Sequence, residues 1–193
     1  MDEHRTYAAF VGEKLVASGP LESMLPQLKA RMDRGEGALV LIFDDQTGRQ
    51  VDFDLRGTPS EVLEHALRAR PRSGPGRPKL GVVAREVTLL PRHWSWLEQQ
   101  PNGASAALRR LVDQARKQDP DKQRARLAMD AACRVMSAMA GNLPGYEEAS
   151  RALYAADEAR FDDLIREWPP DIREYLQRLA RYAFQPAGAP ASG

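Results

Sequence analysis

Arg70-Pro-Arg-Ser-Gly-Pro-Gly-Arg-Pro-Lys-Leu-Gly81 runs into Val82-Val-Ala-Arg-Glu-Val-Thr-Leu-Leu-Pro91, then Arg92-His-Trp-Ser-Trp-Leu-Glu-Gln-Gln100, Pro101-Asn-Gly-Ala-Ser105 and Ala106–Lys117. The first piece is rich in Pro and Gly and cannot hold regular structure. The second reads as one β-strand, residues 85–90, stopped by Pro91. The third is a short helix from Pro91 to Gln100, in which Trp94 is expected to anchor the core. Asn102-Gly103 makes a turn, and Ser105 has N-cap chemistry for a second helix. In that helix Ala104, Ala107, Leu108, Leu111, Val112 and Ala115 follow helical spacing, with Arg109, Arg110, Arg116 and Lys117 on the other face.

Charge is concentrated on this stretch. The 193-residue chain has a net charge of +1. Residues 1–65 carry 7 Lys/Arg against 12 Asp/Glu, residues 66–117 carry 11 against 3, and residues 118–193 carry 10 against 12. A basic block between acidic flanks favours contact with phosphates. The competing reading is a linker whose arginines pair with those flanks.

The order arm, strand, helix, turn, helix resembles the ribbon-helix-helix family of bacterial DNA-binding proteins. That resemblance implies a homodimer in which the strand pairs with its copy and the ribbon enters the major groove. It implies that residues one, three and five before Pro91, namely Leu90, Thr88 and Glu86, face the core, with Leu89, Val87 and Arg85 turned to base edges. The hydrophobic pattern gives the opposite register, burying Val87 and Leu89 and leaving Glu86 and Thr88 outward. The resemblance also implies a phosphate grip at the start of the second helix, near Asn102 and Ser105. Pro75-Gly-Arg-Pro-Lys79 partly resembles an AT-hook core, a minor-groove binder. The residues expected to contact double-stranded DNA are therefore Arg70, Arg72, Arg77, Lys79, Arg85, Thr88, Arg92, Asn102, Ser105 and Arg109.

Outward from the centre, residues 5–69 read as a small N-terminal α+β unit, sandwich-like, of about four strands and two helices. Thr6–Val11 and Lys14–Ser18 form a hairpin turning at Gly12-Glu13. Leu21, Met24, Leu25, Leu28 and Met32 share one helical face, over residues 21–34, which ends at Gly35. Ala38–Phe43 is a buried strand, and Gln50–Leu55 alternates with period two as a half-exposed strand. Thr58, Pro59 and Glu61 form a capping box for a further helix. Residues 70–81 are the basic arm and 82–117 the ribbon-helix-helix-like module. Residues 118–184 form a bundle of C-terminal helices, and 185–193 a disordered tail. The fold class is α+β.

Asp44, Asp45, Asp52 and Asp54 offer carboxylates to a hard cation, but their spacing is not that of an EF-hand loop. His93 has no nucleophile and carboxylate beside it in sequence. Cys133 stands alone, which argues against zinc and fits a reducing cytoplasm. No apolar run nears the roughly 20 residues of a membrane span, and Met1-Asp-Glu-His-Arg5 lacks the form of a signal peptide. The expectation is a cytoplasmic protein that is not an enzyme, needs no cofactor and makes no membrane contact. It binds DNA as a dimer, sequence-specifically or architecturally, in transcription regulation. The alternative is an adaptor whose basic arm binds an acidic partner or RNA.

Four segments carry a second, longer resemblance. They are Phe43-Asp-Asp-Gln-Thr-Gly-Arg-Gln-Val51, Gly76–Trp94, Gly103-Ala-Ser-Ala-Ala-Leu-Arg-Arg110 and Met139-Ala-Gly-Asn-Leu-Pro-Gly145. Over residues 7–184 the chain is similar to a bacterial family of unknown function, which implies no activity.

Overall fold

A computed structural model describes residues 5–35, 39–68 and 85–185. They form a mixed α/β protein with a three-stranded antiparallel sheet and eight helices. Two compact units result. One joins residues 1–70 to 124–193, and the other is residues 71–123. The N-terminal and C-terminal regions, separate segments in sequence, are thus one body in space.

In the first unit, β1 (Thr6–Val11) and β2 (Lys14–Pro20) meet across Gly12-Glu13, with Val11 opposite Lys14. β3 (Val40–Asp44) pairs on the other side of β1, giving the order β2-β1-β3. The pairing slips between Ala9 and Phe10, opposite Ala17 and Leu15, so Val16 is an extra residue. Such a bulge resets which side chains face each way. Leu15 therefore joins one core while Val16 and Ala17 join the other.

Period-two alternation divides the sheet residues between those two cores. Tyr7, Ala9 and Ile42 pack with α1 (Leu21–Asp33) and α2 (Pro59–Arg68), through Met24, Leu25, Leu28, Val62 and Ala66. Ala8, Phe10 and Phe43 pack with the C-terminal helices. Those are α5 (Pro120–Met139), α6 (Tyr146–Tyr154), α7 (Glu158–Leu164) and α8 (Pro170–Ala180). Phe10 sits 5.2 Å from the Tyr175 ring and 6.2 Å from Phe43, between sheet and α8. The sheet is the middle layer of three.

The fourth expected strand is not formed. Gln50 makes an isolated bridge to Phe43, and the Val51 amide donates to the Ile42 carbonyl at 2.8 Å. Beyond it the backbone leaves the ladder, yet Val51, Phe53 and Leu55 still pack on the core while Asp52 and Asp54 are exposed. The alternation in sequence reported burial correctly, because packing against α1 and α2 needs only side chains. The capping box forms as expected: the Thr58 amide donates to Glu61 Oε2 at 2.8 Å, and the Glu61 amide faces Thr58 Oγ1 at 3.4 Å. No described helix is long and apolar enough to cross a membrane.

Candidate nucleic-acid interface

The second unit is built on a helical hairpin. Pro91 takes the first position of α3 (Pro91–Glu98), where its missing amide costs nothing, and extended Leu90 precedes it as N-cap. Ser95 Oγ donates to the Pro91 carbonyl at 3.1 Å. The chain turns through Asn102, held at φ +67, into α4 (Gly103–Gln118). Asn tolerates the left-handed region better than most residues. The Arg110 guanidinium reaches Gln100 Oε1 at 3.4 Å across the hairpin.

Among the described residues of this unit only Leu97 and Ala107 are buried, one from each helix. Leu89, His93, Trp96, Leu97, Leu108 and Leu111 line an apolar groove of about 280 Å³. Large apolar side chains remain in solvent: Val87 is 51% exposed, Leu90 50%, Trp94 36%, Trp96 48% and Val112 55%. Along the other face of α4, a second groove of about 570 Å³ is lined by Ala106, Arg109, Arg110, Asp113, Gln114 and Lys117.

The first unit holds its charges differently. Asp44 is fully buried and pairs with Arg5. It accepts the Gln46 and Thr47 amides, each at 2.9 Å, and Thr47 Oγ1 at 3.1 Å. Asp45 accepts the Tyr175 hydroxyl at 2.9 Å on Oδ1, and Thr6 Oγ1 at 2.7 Å and the Arg178 guanidinium at 2.9 Å on Oδ2. Burial, then the neighbouring Asp45 charge, drives the Tyr175 hydroxyl far above the ordinary tyrosine range. The same turn closes on α5. Arg134 donates to the Thr47 carbonyl at 2.6 Å, and Gly48, at φ +64, lies so close that a Cβ would stand 2.1 Å from the Ala131 carbonyl oxygen. The Asp44–Gly48 turn thus ties the sheet to α5 and α8, its carboxylate oxygens taken by protein donors. Among the described residues no three His, Cys, Asp or Glu side chains stand together as a metal site.

One family matches the chain, over residues 6–180. The chain belongs to DUF2239, described as an uncharacterized protein conserved in bacteria. No curated protein and no solved structure matches it. The DUF2239 match begins with β1 and ends with the last residue of α8, so it takes in the sheet, the hairpin and the C-terminal helices.

Within this DUF2239 chain the residues expected at DNA fall in three groups. Arg70, Arg72, Arg77 and Lys79 lie outside the described residues. Arg85, Thr88, Arg92 and Arg109 are exposed. Asn102 and Ser105 are exposed too, but α4 begins at Gly103, so Ser105 lies inside its first turn and is not the N-cap. Residues 85–90 make no strand pairing among the described residues. Their burial follows neither expected register cleanly, since Leu89 is half-buried in the apolar groove while Val87, Thr88 and Leu90 are exposed. Trp94 is partly exposed and does not anchor a core. Sequence reading missed the partners of Asp45. Its carboxylate meets Tyr175 and Arg178 across separations of 130 and 133 residues, where no local pattern can signal a contact.

Proposed function

We propose that this protein binds double-stranded DNA as a homodimer, through the segment from Arg70 to Lys117. One observation carries the reading. Arg85, Arg92, Arg109, Arg116 and Lys117 are exposed and make no ion pair among the described residues. The pairs Arg5–Asp44, Lys29–Asp33, Arg56–Asp54, Arg68–Glu64 and Arg178–Asp45 all lie in the first unit. Of the described cations of the basic block, Arg68 alone pairs with an acidic flank, at Glu64, and it lies outside the second unit, so neutralisation by the flanks, the simplest rival, is not seen there among the described residues. Unpaired cations on one small unit are what a polyphosphate needs, because each contact releases condensed counterions.

Dimerisation is the second half of the proposal. A unit of this size with two buried side chains among its described residues has too small a core to stand alone. Its uncovered apolar residues suit a second copy, since a two-fold axis opposes each patch with itself. The DNA-binding test is fluorescence anisotropy of the full chain with a labelled duplex at 50–200 mM salt. Binding that falls linearly on a log–log plot is expected, with a slope of roughly −0.9 per phosphate contacted. No binding at the lowest salt refutes it. Light scattering at micromolar concentration tests the dimer, and a monomer there removes that part of the proposal.

A further inference from the structure

Resting on that reading, we infer that α4 lies along the phosphate backbone and that binding is independent of base sequence. At 100° per residue, Arg109, Arg110, Asp113, Gln114 and Lys117 fall on one side of α4, and Ala107, Leu108, Leu111 and Ala115 on the opposite side. Arg109 and Arg116, like Arg110 and Lys117, are seven residues apart, so each pair spans about 10.5 Å along the helix. The result is a two-rowed cationic strip rather than a single anion site.

Among the described residues outside α4, the groups that could read bases are few. Base edges are distinguished by bidentate Arg, Asn or Gln donors. Residues 85–90 offer Arg85 and Thr88 beside exposed Val87 and Leu90. The exposed part of α3 offers one guanidinium, Arg92, beside His93, Ser95, Trp94 and Trp96. Contacts to phosphate fix position without carrying sequence information. Among the described residues the unpaired cations lie mainly on α4, and that is where affinity is spent.

A basic amphipathic helix can instead lie on an anionic membrane, but it must then bury its own apolar face in lipid. Part of the apolar side of α4 is turned to α3, where Ala107 and Leu97 are both buried, and the exposed remainder, Leu111 and Val112, falls to the second copy in the proposed dimer. That favours a partner made of phosphates alone. Asp113 supplies a diagnostic, because it stands in the cationic groove without an ion pair among the described residues. Its carboxylate opposes any phosphate laid there.

The experiment uses the full chain, a panel of unrelated 30-base-pair duplexes, and vesicles of phosphatidylserine. Circular dichroism verifies that each variant is folded, as expected for exposed positions. Dissociation constants across the duplex panel should agree within about tenfold, against the ~10³ or more of a sequence-specific protein. For the pair Arg109→Ala and Lys117→Ala, the loss of affinity between 50 and 200 mM salt should be about 12-fold smaller than in the parent, two contacts at a slope of roughly 0.9 each. Asp113→Asn should bind every duplex more tightly, a gain that a merely structural role would not produce.

A preference above about 10³ for one duplex overturns the inference. So does an unchanged salt slope in the α4 pair, or dependence on Arg85→Ala and Thr88→Ala alone. In those cases DNA binding itself stands. Failure to bind any duplex sinks the parent reading instead, and retention on vesicles without duplex binding replaces it with a membrane role.

Discussion

Gly48→Ala should be among the most damaging single-methyl changes available in the first unit. Two independent penalties act at that position. The backbone sits at φ +64, where a Cβ costs roughly 1–2 kcal/mol. The new Cβ would also stand 2.1 Å from the Ala131 carbonyl oxygen and 2.6 Å from its Cα, both of them backbone atoms that cannot rotate away. The Asp44–Gly48 turn must therefore lift from α5. That breaks the 2.6 Å bond from Arg134 to the Thr47 carbonyl, and a hydrogen bond from a charged donor is worth about 1.5–3 kcal/mol. The two terms together give roughly 2.5–5 kcal/mol. Gly12→Ala is the control, because Gly12 has φ +57 but nothing within 4 Å of the added atom. It should cost only the conformational part, about 1–2 kcal/mol. Urea denaturation followed by Trp168 fluorescence measures both, in a background with Trp94→Phe and Trp96→Phe so that the signal comes from the first unit. Equal losses in the two glycine variants would refute the close approach of turn and helix.

Other predictions follow from the same contacts. Tyr175→Phe removes the donor to Asp45 Oδ1 but leaves Thr6 and Arg178 in place, so urea midpoints should show a loss of about 1.5–3 kcal/mol. Asp45→Ala strands three donors at once and should cost more than Tyr175→Phe in the same assay; a smaller loss would show that the node is not structural. Glu61 is held below its usual carboxylate range of about 4.5 by the Thr58 amide first and the Thr58 hydroxyl second. Its folded pKa is depressed, so its contribution is present above the unfolded value and fades as pH falls through the folded one. Carboxyl NMR titration should therefore place the Glu61 midpoint below 4.5, and Thr58→Ala, which keeps the amide, should move it only part of the way back. Phe10→Ala opens the core between sheet and α8 and should cost roughly 3–5 kcal/mol by denaturation.

The amino-acid sequence by itself determined the local pieces of this protein. The Gly12-Glu13 hairpin, the stripe of α1, the Thr58–Glu61 capping box and the start of α3 at Pro91 all appear as read. Each depends on residues within about one helical turn or across a two-residue loop, so the chemistry is complete in the string. The concentration of charge between residues 66 and 117 was equally legible, because it is a count. Tertiary structure alone decided that Arg109, Arg116 and Lys117 find no acidic partner among the described residues, and that Asp44 and Asp45 serve the fold. It also joined Phe10 to Tyr175 across most of the chain, and placed Gly48 against Ala131. For residues 85–90 the alternating pattern suggested a strand, but a strand is a pairing, and among the described residues no neighbour supplies one. Periodicity states which side chains seek burial. Which surface receives them depends on free energies summed over distant segments, and those do not appear in any local stretch of sequence.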